Sequence, residues 1–156
     1  MFIDPPSYPP PRRGEGRLLH VRFRLFYTPA VASVIALVDD LMFLSRVREA
    51  ARSAALEVRT VRTTADLLEA ARAGAALLVV DLDSRRLPWA EALASLRADP
   101  ALATLPVIGF LSHVNADAAR KARDVGGCQI LARSAFVRDL PQLLAAAAPP
   151  APLELK

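Results

Sequence analysis

Two adjacent aspartates, Asp39 and Asp40, close the stretch "SVIALVDD", and a third, Asp81, closes "ALLVVD" about forty residues later. Three acidic groups within a few ångströms of one another cannot comfortably all ionise unless a cation compensates them. Carboxylates suit Mg²⁺, a hard ion that takes oxygen from one or two side chains and completes its shell with waters and a substrate phosphate. One carboxylate of such a set can attack a phosphoryl donor and become an aspartyl phosphate, while the metal neutralises the charge that develops. This chemistry is open to the chain only if the two stretches end side by side.

The flanking pattern says how they could. Five apolar runs recur, each followed by a helical period. Val34–Val38 is the first, and Phe43, Val47, Ala50, Ala51 and Ala54 then fall on one helical face with arginines and Glu49 opposite. Leu56–Val61 reads as a second strand, with Leu56 and Val58 alternating against Glu57 and Arg59. Thr63 is an N-cap with Asp66 three residues on, and Gly74 is a stop after "LLEAARA". Ala76–Leu82 is apolar until Asp81, as suits a parallel strand covered on both faces. Trp89–Asp99 supplies a helix, Pro106–Ser112 a fourth strand, and Asn115–Gly127 a capped helix ending in two glycines. Gln129–Ser134 is the fifth strand. A last helix is expected from about Leu140 to Ala148, with Pro141 in its first turn. Right-handed crossovers in this rhythm give an α/β fold, a doubly wound five-stranded parallel sheet. Ligands of such sheets sit beyond the carboxyl ends of the strands, where all three aspartates fall.

Composition bounds the rest. The chain has 156 residues, 53% of them hydrophobic, enough for one domain with a real core. Six of its 13 prolines lie within residues 1–30 and four within 141–152. The expected organisation is therefore a Pro/Arg-rich extension over 1–30, a domain over 31–148 and a flexible tail over 149–156. The first thirty residues hold five arginines against Asp4 and Glu15, so most of the net charge of +4 belongs to them. The domain is near neutral, and a basic nucleic-acid face is not expected. The extension joins the first strand so abruptly that Val31 or Val34 would serve as the start if its codon were GTG. Peptides such as "LLHVR" from the endogenous protein would refute that. One cysteine, Cys128, permits no internal disulfide, suits a reducing cytoplasm, and reads as a small residue in or near the core. The apolar stretch Leu25–Val38 is too short for a membrane span and lacks a signal-peptide cleavage site. No glycine-rich phosphate loop follows the first strand, which argues against a dinucleotide site. His113 reads as a solvent-edge residue rather than a metal ligand, and His20 suggests nothing.

From about Val34 to Ala147 the chain resembles a CheY-like receiver domain of two-component response regulators, a flavodoxin-like fold. "VIALVDD" resembles that family's first strand with its acidic pair, and "LLVVDLD" its third strand with the phosphoacceptor. The resemblance implies Mg²⁺ as cofactor, with Asp39, Asp40 and Asp81 as its ligands, and Asp81 as the phosphoacceptor. It implies a histidine kinase or a downstream signalling protein as partner, and no enzyme activity beyond slow self-phosphorylation and dephosphorylation at Asp81. Asp83 matches no essential family position and reads as a solvated loop residue.

The departures are as informative. The family places Thr or Ser near the end of the fourth strand and Lys-Pro at the end of the fifth. Counted without gaps from Asp81, those positions fall on Leu111 and Arg133; a shift of one brings in Ser112 and Ser134 instead. Arg133 is thus the candidate for the lysine position and Ser112 for the hydroxyl. Leu111 cannot hydrogen-bond a phosphoryl oxygen, Ser134 cannot neutralise one, and guanidinium is bulkier and less adaptable than ammonium. No proline follows Arg133, so the family's cis peptide has no support in the sequence. The loop "LDSRRLPWA" also lacks the family's glycines.

The expectation is a stand-alone receiver-like signalling domain that keeps the acidic pocket, alters the switch residues and works by protein docking. Arg120, Lys121, Arg123 and Arg138 are the candidate contacts. No DNA-binding domain or membrane attachment is expected, and the oligomeric state is left open. A non-phosphorylated pseudo-receiver scaffold is the alternative, in which Asp40 merely caps the helix that follows. A third reading takes Asp81 and Asp83 as nucleophile and acid of a haloacid-dehalogenase-type phosphatase. That family's further acidic pair lies downstream of its motif, whereas here it lies upstream.

Overall fold

The computed structural model describes residues 31–150. The proposed extension over 1–30 and most of the 149–156 tail lie outside them. Five strands alternate with five helices: β1 (Ser33–Leu37), α1 (Leu41–Ser53), β2 (Glu57–Thr60), α2 (Thr64–Arg72), β3 (Ala75–Asp81), α3 (Trp89–Ala98), β4 (Val107–Leu111), α4 (Ala116–Val125), β5 (Cys128–Ala132) and α5 (Arg133–Ala147). The strands form one parallel sheet in the order β2-β1-β3-β4-β5. This is the flavodoxin-like order. The three central strands carry the continuous apolar runs, and every residue of β1 and β4 is buried. β2 and β5 are the edges, and their "EVRT" and "CQILA" remain largely solvated. Their polar content fits an edge rather than a centre.

Alternation along each strand divides the core. Ile35, Leu37, Leu78, Val80, Val107 and Leu111 meet Leu67 of α2, Leu93 and Leu96 of α3, and Ala118 and Ala122 of α4. On the other face Val34, Ala36, Leu77, Val79, Ile108 and Phe110 meet Leu44 and Val47 of α1 and Phe136, Leu140 and Leu144 of α5. Local chemistry sets the helix ends. Asp40 caps α1 through Met42 N–H at 2.8 Å, Thr63 caps α2 through Asp66 N–H at 3.1 Å, and Asn115 caps α4 through Ala118 N–H at 3.2 Å. Gly74, just beyond α2, takes φ +99°, a turn that a side chain would strain.

One element differs from expectation. The fifth strand stops at Ala132 and α5 begins at Arg133, seven residues before the expected start, so Pro141 stands inside the helix. The segment Arg133–Asp139 buries Phe136 fully against the sheet. That tertiary burial, with Leu140 and Leu144 on the same face, outweighs the backbone hydrogen bond Pro141 cannot make.

The chain leaves β1 for β2 on one side and returns to β3 on the other. The crevice at that reversal opens beyond the carboxyl ends of β1 and β3. No helix among the described residues is long and apolar enough to cross a membrane.

Candidate functional site

Asp81 is the last residue of β3, and Asp39 and Asp40 follow directly on Val38 past the end of β1. The two strands are paired with Leu37 opposite Val80, which brings their carboxyl ends level. Asp39, Asp40 and Asp81 line one open cleft of about 400 Å³, together with Asp83, Ser84, Arg85, Arg86 and Arg133.

Each acid already has a partner. Asp39 accepts from Arg62 Nη2 at 3.0 Å and from Ser84 Oγ at 3.4 Å. The Oδ1 atom of Asp40 is taken by the first turn of α1, at Met42 N–H and Phe43 N–H. Asp81, only 2% exposed, accepts from Asp83 N–H at 3.1 Å, and Arg133 Nη2 stands 3.9 Å away. Burial pushes the Asp81 carboxyl above its ordinary value. The Asp83 N–H and the Arg133 guanidinium pull it back, and the Asp83 charge adds to the rise. The repulsion expected from three neighbouring carboxylates is thus met in part by two arginines of the chain itself, Arg62 and Arg133.

Asp83 is not the solvated loop residue the sequence suggests. Its Oδ2 accepts from Ser112 N–H at 2.8 Å and Arg133 Nε at 2.9 Å, and its Oδ1 accepts from Asn115 Nδ2 at 2.8 Å. Burial pushes its carboxyl up, but the Asn115 amide, the Ser112 N–H and the Arg133 charge outweigh it and hold it below its ordinary value. The three partners lie 29, 32 and 50 residues away, beyond the reach of local pattern. The signal available in the sequence is an arginine at the end of the fifth apolar run together with a second aspartate two residues past Asp81.

Arg133, the first residue of α5, rests on aromatic faces. Its Cζ lies 4.9 Å from the Phe43 ring centre and 6.0 Å from that of Phe110. Phe43, Phe110 and Phe136 form a stack, with Phe110 and Phe136 centroids 4.5 Å apart. The sequence marks these rings only as apolar positions. Leu111 is buried in the core on the α2–α4 face of the sheet. Ser112, half-buried, donates its backbone N–H to Asp83, and Ser134 is exposed. His113 is exposed and lines a separate cleft with Asn115, Arg123 and Ile130. Cys128 packs half-buried against the core, and burial pushes its thiol up.

The donors match Mg²⁺ in type: hard carboxylate oxygens around a cleft, one of them buried and incompletely compensated. Among the described residues no three acidic, histidine or cysteine side chains are set around a single ion position. The cap uses one oxygen of Asp40, and Arg62 uses one oxygen of Asp39.

No family model matches the sequence, and no curated protein matches it. Solved structures do match. The phosphorylated cyanobacterial phytochrome response regulator RcpA is 22% identical, with a TM-score of 0.57 over 75% of this chain and 91% of that one. Chemotaxis response regulator CheY4 of Vibrio cholerae is 17% identical, with a TM-score of 0.61 over 76% of this chain and 99% of that one. The receiver domain of the Pseudomonas aeruginosa sensor histidine kinase PA1611, solved with magnesium in its active-site cleft, is 16% identical, with a TM-score of 0.63 over 76% and 98%. The chain has the CheY-like receiver fold.

Proposed function

We propose that a chain with this fold serves as a receiver-type signalling domain, with Asp81 as phosphoacceptor and a protein as partner. The observation that carries the reading is the shared cleft of Asp39, Asp40, Asp81 and Arg133 at the topological switch. In the reaction an Asp81 carboxylate oxygen attacks the phosphorus of a phosphohistidine. The P–O bond forms as the P–N bond breaks, and the imidazole leaves with its nitrogen lone pair and takes up a proton. Mg²⁺ held by Asp39, Asp40 and Asp81 would supply neutralisation of the phosphoryl oxygens when bound, as the magnesium in the PA1611 cleft suggests. The chain's own contributions are narrower. Burial holds Asp81 in place, Asp83 N–H orients its Oδ1, and Arg133 Nη2 lies near enough to be drawn onto a new anionic oxygen.

A second reading, the unphosphorylated scaffold, draws on a separate observation. Arg62, the α1 cap and Arg133 already occupy the acids, and in the ungapped register the hydroxyl position would fall on the buried, apolar Leu111. Incubation with acetyl phosphate and Mg²⁺, followed by intact-mass measurement, separates the two. Slow gain of one phosphoryl mass, abolished in Asp81→Asn, supports the acceptor. Absence of that gain in the wild type removes it and leaves the scaffold.

A further inference from the structure

We propose that Asp83 is a built-in latch whose carboxylate occupies, without modification, the donors that a phosphoryl group on Asp81 would have to recruit. The inference rests on the reading of Asp81 as acceptor and adds a regulator to that site.

The contacts run through three connections at the carboxyl edge of the sheet. Asp83 lies between β3 and α3. Its Oδ2 holds Ser112 N–H, just past β4, and Arg133 Nε, the first residue of α5. Its Oδ1 holds Asn115 Nδ2, and the other end of that amide, Oδ1, caps α4 at Ala118 N–H. One carboxylate thus ties the loop after the acceptor to the starts of both α4 and α5. Arg133 sits at 2.9 Å from Asp83 but 3.9 Å from Asp81, so the cation favours the latch. The aromatic rings of Phe43 and Phe110 beneath its guanidinium hold it there.

A ligand shifts a conformational equilibrium only by its differential affinity for the two states. In this site a phosphoryl group on Asp81 gains Arg133 only as Asp83 loses it. One charge-assisted bond replaces another, and the net differential is small. The α4–β5–α5 face is therefore already held in one arrangement in the unmodified protein. Removing the charge of Asp83 frees both Arg133 and the Ser112 N–H for the incoming anion.

The test compares full-length wild type with Asp83→Asn and Asp83→Ala. Amide hydrogen exchange is followed over residues 112–118 without ligand, together with titration by beryllofluoride and Mg²⁺, a non-covalent phosphoryl mimic. Trp89 is the chain's single tryptophan and lines a cleft with Asp83, Ser112 and Asn115, so its fluorescence reports the titration. The latch predicts exchange over 112–118 faster by at least about tenfold in both variants, the effect of losing one or more charge-assisted bonds. It also predicts mimic affinity higher by about tenfold. Unchanged exchange and unchanged affinity overturn the latch while leaving Asp81 as acceptor. Faster exchange with no mimic binding in any form removes the acceptor, and with it the regulatory role of the latch, leaving Asp83 as a structural tie. Should both variants fail to fold, Arg133→Gln breaks the same tie from its other end. Faster exchange over 112–118 is again expected, and wild-type protection there overturns the proposal.

Discussion

Asp81 and Asp83 are two residues apart, yet their environments push them in opposite directions, and pH separates them. Burial raises Asp81, so its contribution to stability is full below the ordinary value of 3.8 and is lost as pH rises through its folded value. For Asp83 burial is outweighed by its three partners and the value falls. Its contribution is present above 3.8 and lost as pH drops through the lowered value. Asp81→Asn is expected to raise the melting temperature at neutral pH by a few degrees, a gain that vanishes below pH 3.8. Asp83→Asn should lower it at neutral pH and lose its effect in strong acid. Melting curves from about pH 1 to 8 check both, and effects of the same sign at neutral pH would contradict the assignment. A third residue-scale expectation concerns Arg62, exposed by 57% and paired with Asp39 at 3.0 Å. Arg62→Ala should cost under about 1 kcal/mol, as exposed pairs do. It should also tighten Mg²⁺ binding several-fold by freeing a carboxylate. Calorimetric titration with Mg²⁺ measures this, and equal or weaker binding counts against Asp39 as a ligand.

Among the elements, α5 departs most from local expectation. Gln129–Ser134 reads as a strand, and Pro141 as a first-turn residue, so the expected helix starts too late. The fold carries the helix back to Arg133 because Phe136, Leu140 and Leu144 must share the face that covers Phe110 and Ile108. The exposed Pro141 then lies in the helix interior, where proline is about 3 kcal/mol worse than alanine. Pro141→Ala should stabilise the protein by about 1–3 kcal/mol, read as a higher urea midpoint at unchanged slope. An unchanged or lower midpoint would mean that the helix is already bent to accommodate the ring. By contrast α2 and α4 were legible at both ends. Thr63 with Asp66, Asn115, Gly74 and Gly126 are short-range signals that the structure meets within a residue or two.

For the molecule as a whole, the question is how far a change at Asp81 travels. Shifting a two-state equilibrium from 1:99 to 99:1 takes about 5.5 kcal/mol. A single charge-assisted contact supplies about 1.5–3 kcal/mol. With Arg133 engaged by Asp83, the proposed site has only a small response available. Amide NMR shifts on adding beryllofluoride and Mg²⁺ should stay among residues lining the cleft, Arg133 included, and leave α4, β5 and the rest of α5 unmoved. Shifts spread across that face would restore an ordinary phosphorylation switch. Docking on that face would draw on Lys121 and Arg123, which are exposed and without an ion pair among the described residues. Arg120 and Arg138 are already paired with Asp117 and Asp139.

The sequence by itself determined the parallel sheet, the strands that lie at its centre and the convergence of Asp39, Asp40 and Asp81. Apolar runs long enough to be buried on both faces admit few other arrangements, and right-handed crossovers then place β1 beside β3. Only the tertiary structure decided what those acids touch. The Arg62–Asp39 pair, the Arg133 guanidinium on Phe43 and Phe110, and the three donors on Asp83 join residues 23 to 90 positions apart. Periodicity records which face a residue takes, not which side chain from another loop meets it there. Asp83 therefore read as solvated until the β4–α4 loop and the start of α5 closed over it.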